Sequence, residues 1–121
     1  MLTRKIQGDS ILFYKDDALI LTIDETEDND RVILSLKGDL LSDAAHPLQD
    51  ELDAFTTVGT KLILDFKDVS YAAPSIFVAL LNVQQLIDFF RHGEILLKNI
   101  PADLYHEMDE IGITELLMIE N

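Results

Sequence analysis

The side chains best suited to acid–base or metal chemistry in this sequence are its three histidines. His106 lies in the string YHEMDE, where the helix of a zinc protease would carry a second histidine four residues on, but Glu110 stands there. His46 falls in the first turn of a predicted helix, and His92 at the end of another, where a positive charge is favourable. We interpret all three as surface residues. An enzyme that uses His106 with Glu107 or Glu110 is kept as an alternative.

Other catalytic signatures are missing from the sequence. There is no cysteine, which excludes disulfides and thiolate chemistry. Neither of the two common glycine-rich phosphate-binding motifs occurs, and no G-x-S-x-G marks a serine nucleophile. The acidic string Asp28-Asn29-Asp30 lies in a segment that lacks the sixth-position glycine of a calcium loop and has Ser35 where that loop has its final glutamate. The sequence therefore predicts no catalytic residue, no metal and no cofactor.

Charge is the strongest property of the composition. The 121-residue chain has 23 acidic and 9 basic residues, which gives a net charge of −14. A surface of this sign repels phosphate backbones and anionic lipid, so we expect neither nucleic acid nor a membrane surface as a main partner. A basic partner protein would be attracted, although net negative charge also aids solubility.

Membrane and export signals are also missing from the sequence. No apolar run approaches the roughly 20 residues that cross a bilayer. The first ten residues, MLTRKIQGDS, lack the apolar segment of a signal peptide. We therefore expect no membrane insertion and a cytoplasmic location.

The first half of the chain predicts a hairpin followed by a helix. Residues 1–16 are expected to form an N-terminal arm or one short strand, ILFYKDD. The apolar strings ALILTIDE and RVILSLKG, joined by the polar residues 26–30, favour two paired strands. Ser42 or Asp43 is expected to cap the next helix with its side chain, and Gly59 lies beyond the end of that helix.

The second half of the chain alternates strands and helices. KLILDF, residues 61–66, predicts a strand buried on both faces. Pro74 suits the start of a helix, because its missing N–H would be unpaired there, and we place this second helix at about residues 75–91. EILLKN is the next buried strand. A third helix opens at residues 101–103 and ends at Gly112, and ITELLMIE follows as an edge strand.

This order of elements, β-β-α-β-α-β-α with a final strand, predicts an α/β fold. Strands that alternate with helices pair in one small mixed sheet, with right-handed crossover helices packed against it. We place this single domain at residues 17–121 and treat residues 1–16 as its N-terminal extension.

Three strings in this order resemble the STAS domain, the family of anti-sigma factor antagonists, over about residues 17–120. VILSLKGDL is similar to the family's strand that ends in Gly-Glu/Asp-Leu, and LILDFKDVSYAAPSIFVALL to its central strand, junction and helix. EILLKNIPADLYHEMDEIGITELL is similar to its last strand, short helix and terminal segment. The resemblance implies the same small sheet with helices, and protein binding rather than catalysis.

The family's phosphorylation motif falls on residues 73–76. In the family, a kinase phosphorylates a Ser or Thr at the start of the second helix, and the antagonist then releases its partner. Ala73 stands here in place of the motif's Asp, Pro74 in place of its hydroxyl and Ile76 in place of its Gly. Ser75 could accept a phosphate, but it is displaced by one position, so we interpret it as a helix cap or first-turn residue. The resemblance therefore implies a degenerate phosphorylation site.

The family's partner surface, which is the junction and the outer face of the second helix, maps onto Ala73, Pro74, Ser75, Phe77, Val78, Asn82 and Gln85. A helical wheel predicts a core stripe that comprises Ile76, Ala79, Leu80, Val83, Ile87 and Phe90. So broad an apolar helix is expected to be mostly buried. The other interpretation is a patch for a partner or for a second copy of the chain.

The sequence thus predicts a non-catalytic protein-binding module in bacterial partner-switching regulation of transcription, without the usual Ser/Thr switch. The predicted partner is an anti-sigma factor kinase or another STAS-type protein, and the same surface could pair two copies in a homodimer. The alternative is a small cytoplasmic STAS subunit of a transporter or scaffold assembly.

Overall fold

The computed structural model describes residues 1–120 of the chain. Within that range there are seven β-strands and three α-helices, and a 3-10 turn at residues 42–44 precedes the first α-helix. In chain order the elements are β1 (Leu2–Gln7), β2 (Ser10–Lys15), β3 (Ala18–Asp28), β4 (Arg31–Leu40), α1 (Ala45–Thr57), β5 (Lys61–Ala72), α2 (Pro74–Phe90), β6 (Glu94–Lys98), α3 (Ala102–Glu110) and β7 (Ile119–Glu120).

The strands form one sheet whose spatial order follows the chain order, from β1 to β7. β1 to β4 pair antiparallel and β4 to β7 pair parallel, which confirms the predicted α/β fold with one mixed sheet. All three parallel connections advance in the same direction, and right-handed crossovers of that kind place their helices on the same face. Leu48 of α1, Leu80 of α2 and Met108 of α3 accordingly belong to one core cluster.

The core lies between these helices and the alternate strand residues that face them. Leu64 on β5 and Leu97 on β6 are register partners, and each is at most 1% exposed. Their neighbours Ile63 and Leu96 point to the opposite face. Ile63 is nevertheless only 6% exposed, so the centre of β5 is buried on both faces, as predicted.

Residues 1–16 form two strands where the sequence predicted an arm or one short strand. ILFYKDD lies mostly in β2, and β1 pairs with it in an antiparallel hairpin that extends the sheet beyond β3. Arg4 on β1 pairs with Glu51 on α1 through Nε and Nη2, which connects the hairpin to the helical layer. On the other side of β1, the Lys5 ammonium lies 5.4 Å from the centroid of the Tyr14 ring.

β5 continues to Ala72, well beyond the predicted end at Phe66. Its second half pairs with the end of β4, where the register shifts twice, and Leu40 lies opposite Ala72. The side chains of this half do not form an apolar run, since Asp68 and Tyr71 are exposed. Backbone pairing with β4 extends the strand here, which the apolar pattern of the sequence does not report.

The ends of the other elements also differ from the predictions. Neither Ser42 nor Asp43 caps α1 with its side chain. The 3-10 turn replaces that cap, since the N–H of Ala44 donates to the carbonyl of Leu41 at 2.9 Å. Of the string ITELLMIE, only Ile119–Glu120 form a strand. Among residues 1–120, no helix combines the length and the apolar character that a membrane span requires.

A candidate protein-binding surface on the second helix

α2 starts where the sheet ends, with no loop between them. Ala72 closes β5, and Ala73 is the buried N-cap of α2, with an extended backbone at φ −65° and ψ 151°. The N–H of Ala73 donates to the carbonyl of Leu40 at 2.8 Å, so this cap is still bound to β4. Pro74 follows as the first helical residue and is exposed, at a position where a missing N–H leaves no donor unpaired.

The hydroxyl of Ser75 is directed away from solvent. Its Oγ is buried and finds no hydrogen-bond partner among residues 1–120. Asn82 lies two turns further along the same side of α2, and its Nδ2 donates to Oε1 of Gln49 on α1 at 3.1 Å. Ser75 therefore lies on the side of α2 that faces α1. It is a first-turn residue and not a cap, because the N-terminus of α2 has no side-chain cap hydrogen bond.

The other predicted surface residues divide into an outer and a buried set. Pro74, Val78 and Gln85 are exposed on the outer side of α2, and Asn82 is half-buried at the edge of α1. Phe77, in contrast, is 3% exposed and belongs to the core cluster. The buried side of α2 is wider than the predicted core stripe and includes Phe77. The Phe77 ring is therefore not available on the outer surface.

The last turns of α2 expose large apolar side chains that the sequence analysis did not assign to the partner surface. Leu86, Phe89 and Phe90 are 41%, 80% and 63% exposed. The two rings meet edge to face, with centroids 4.9 Å apart. The prediction that Phe90 lies in the core is wrong, because α2 ends there and Arg91 turns the chain away with a φ of 55°. We call Leu86, Phe89 and Phe90 the apolar ridge.

One signal in the sequence could have indicated the ridge. Consecutive residues lie about 100° apart around a helix, so two adjacent phenylalanines at a helix end cannot both face a narrow core. A wheel built on one stripe assigns Phe90 to the core and leaves Phe89 without a role. The pair as a whole predicts exposed aromatic surface.

Two grooves lie beside the apolar ridge, and Leu86 lines both of them. The larger has a volume of about 400 Å³ and lies between α1 and α2, where it is lined by Gln49, Asn82, Gln85, Leu86 and Phe89. The smaller has a volume of about 200 Å³ and is lined by Thr56, Thr57, Leu86, Ile87, Phe90 and His92. An apolar surface with a groove beside it is one that an amphipathic helix of another protein can occupy.

Asp53 on α1 contributes a partly desolvated carboxyl group to the same region. Burial raises the pKa of Asp53, while a hydrogen bond with Gln49 acts in the opposite direction. One of its oxygens, Oδ1, is buried without a hydrogen-bond partner within residues 1–120. Because Gln49 also accepts from Asn82, these groups connect Asp53 on α1 to α2. The helical layer therefore contains an acceptor that lacks a donor.

The histidines do not form a catalytic or metal-binding cluster in the described chain. His106 pairs with Glu110 at 2.9 Å and His46 with Asp50 at 3.4 Å, each one helical turn apart and exposed. His92 lines the smaller groove. Within residues 1–120, no group of three His, Asp or Glu side chains is placed to hold a metal ion.

Comparison with protein families gives one match, to the STAS domain, over residues 21–121. No curated protein matches the sequence. A solved structure of a candidate anti-sigma factor antagonist from Thermotoga maritima has a TM-score of 0.72 and 19% identity, and the match covers 82% of this chain and 86% of that one.

Two further solved structures represent different settings of the same fold. RsbS from Moorella thermoacetica has a TM-score of 0.65 and 14% identity, over 81% of this chain and 85% of that one. The murine anion transporter Slc26a9 has a TM-score of 0.63 and 17% identity, over 98% of this chain but only 20% of that one. At these identities the structures establish a shared fold.

Proposed function

The chain belongs to the STAS domain family, and from this premise we propose that it is a non-catalytic protein-binding module of bacterial partner-switching regulation that lacks the usual phosphorylation switch. The observation that carries the proposal is the start of α2. Pro74 occupies the exposed first helical position, and the hydroxyl of the next residue, Ser75, is buried.

The outer side of α2 is the proposed contact surface. Val78 is 55% exposed, and Pro74 and Gln85 lie on the same side of the helix. An apolar side chain bordered by polar ones matches the apolar core and polar rim of protein interfaces. Because Ala73 is hydrogen-bonded to β4, the surface is presented by a fixed helix start and not by a mobile loop.

We infer the missing switch from whether Pro74 and Ser75 can accept a phosphate. A phosphate adds nearly two negative charges and separates an interface that was packed for a neutral hydroxyl. Proline has no oxygen to phosphorylate, and a kinase would have to displace α2 from α1 to reach the Oγ of Ser75. The proposed module therefore binds its partner without release by phosphorylation at this place.

The proposed partner is an anti-sigma factor kinase or another STAS-type protein. This class is supported by the likeness to an anti-sigma factor antagonist fold and to RsbS. Ile76 and Val78 stand close to positions where the family has small residues, so the partner needs a surface that accommodates more bulk than usual.

A second candidate function is a STAS subunit of a transporter or scaffold assembly. The likeness to Slc26a9 extends over 98% of the chain and so includes the β1–β2 hairpin, whereas the family match begins at residue 21. A transporter component recovered as the main partner would favour this candidate. A sigma-factor regulator would favour the first.

Affinity capture with matched variants tests the proposal. Val78→Lys places a charge on the outer side of α2, and Leu19→Lys places one at a site of similar exposure on β3, 53% against 55%. We expect the wild type and Leu19→Lys to retain the same regulatory or STAS-type protein, identified by mass spectrometry, and Val78→Lys to lose it. Equal recovery with all three proteins would contradict the proposal.

A further inference from the structure

The cations of the molecule all lie outside its helices. The three α-helices carry no lysine or arginine and eight carboxylates: Asp50, Glu51, Asp53, Asp88, Asp103, Glu107, Asp109 and Glu110. Eight of the nine lysines and arginines of the chain lie on strands instead, and Arg91 follows α2. The helices therefore present a mainly acidic surface, in which Glu51 is paired with Arg4, whereas the strands carry carboxylates and cations together.

The apolar ridge lies within this acidic layer. Phe89 projects with 80% exposure, and Leu86 separates the two grooves beside it. Asp88 flanks the ridge and is exposed, with one oxygen accepting from Gln84 at 2.9 Å. A partner that covers Phe89 must therefore also approach carboxylates.

The carboxylates of the helices indicate the charge of that partner. Asp88 is exposed beside the ridge, and the net charge of the chain is −14. A lysine or arginine side chain from another molecule supplies a compensating charge to such a surface. A second copy of this chain does not, because a symmetric contact through this face would oppose two acidic helical layers.

We propose that the apolar ridge and the groove between α1 and α2 bind a cationic amphipathic helix of the partner protein. This inference rests on the proposed function. The apolar face of that helix covers Leu86, Phe89 and Phe90. Its lysines or arginines face Asp88 and the other exposed carboxylates of the helices. Binding through an apolar helix face with complementary charges is a recurrent mode of recognition.

The test uses the full chain and a synthetic probe, an amphipathic helix of about five turns made of leucine and lysine. A matched peptide with glutamate at every lysine position is the charge control. Titration of the nitrogen-15-labelled protein is expected to shift amide signals of α1 and of the second half of α2 with the lysine peptide only. Phe89→Ser should weaken its affinity about tenfold. Ile6→Ser, at a site of 67% exposure on β1, should leave it unchanged.

Several outcomes would overturn the proposal. Shifts spread over the strands, equal effects of Phe89→Ser and Ile6→Ser, or undiminished affinity after Asp88→Asn would each do so. A dimer of the free protein that Phe89→Ser dissociates would assign the ridge to a second copy instead. If the natural partner is lost with Val78→Lys but retained by Phe89→Ser, the proposed function stands and this inference fails.

Discussion

The N–H of Ala73 donates to the carbonyl of Leu40 at 2.8 Å, so the N-cap of α2 is also the last hydrogen-bonded position between β4 and the segment that follows β5. The place to which the resemblance assigns the family's phosphorylation switch is thus continuous with the sheet. The helix that follows has Pro74 outside and the Ser75 hydroxyl inside. In the proposed function, this arrangement makes a binding surface that phosphorylation does not release.

Ser75 should not be phosphorylated by serine/threonine kinases that modify related antagonists. Its Oγ is buried in the first turn of α2, so a kinase cannot reach it without displacing the helix. Mass spectrometry of residues 68–91 after incubation checks this. Pro74→Ser is the matched variant, because it places a hydroxyl at the exposed neighbouring position, where we expect phosphate to be accepted. Phosphate on Ser75 of the wild type would refute the expectation.

Ser75→Ala should leave the free energy of unfolding unchanged or raise it by up to about 1 kcal/mol. The substitution removes a buried hydroxyl that has no hydrogen-bond partner, and alanine favours a helix. Urea unfolding measures the change, with Ser42→Ala, at an exposed position, as the control. A clear loss of stability would mean that the hydroxyl has a partner in solution.

Asp53→Asn should stabilise the protein increasingly as the pH rises. The folded state raises the pKa of Asp53 by burial, so the folded protein binds its proton more tightly than the unfolded chain does. The stability that this group contributes is complete below its unfolded pKa and is lost as the pH rises through the folded value. The difference in unfolding free energy between the variant and the wild type should therefore grow from about pH 4 to neutrality. The same substitution at the exposed Asp103 is the control, and an equal pH dependence there would contradict the prediction.

Gly93→Ala should cost far more stability than Gly112→Ala. Both glycines have a left-handed backbone, with φ of 75° and 79°, so both substitutions introduce strain of about 1 kcal/mol. At Gly93, however, a Cβ would lie 2.7 Å from the carbonyl oxygen of Thr56 at the end of α1, whereas nothing lies within 4 Å at Gly112. We expect a loss of more than about 2 kcal/mol for the first, by urea unfolding. Equal losses would show that the end of α1 is not held against Gly93.

The sequence predicts the fold well where side-chain pattern and backbone structure agree. Ile76, Leu80 and Val83 recur at helical spacing and are buried as expected. The apolar runs of β5 and β6 likewise place Leu64 and Leu97 in the core. These positions could be predicted because apolar side chains at regular spacing are buried in the core.

What the sequence does not predict depends on contacts between distant segments. β5 is extended to Ala72 by pairing with β4, and β1 exists because it pairs with β2. The candidate surface could not be predicted in full for the same reason. The burial of Phe77, the exposure of Phe90 and the inward hydroxyl of Ser75 depend on how α2 lies against its neighbours, which a single helical wheel does not contain.

The most direct measurement of the central claim is site-specific photo-crosslinking in cells that contain the natural partner. A photoreactive residue is placed at position 78 on α2 and, as the control, at position 19 on β3, two sites with 55% and 53% exposure. We expect position 78 to give one defined crosslinked protein, unchanged by kinase activity, and position 19 to give none. The same products from both positions, or a crosslink at position 78 that disappears on phosphorylation of the chain, would contradict the account.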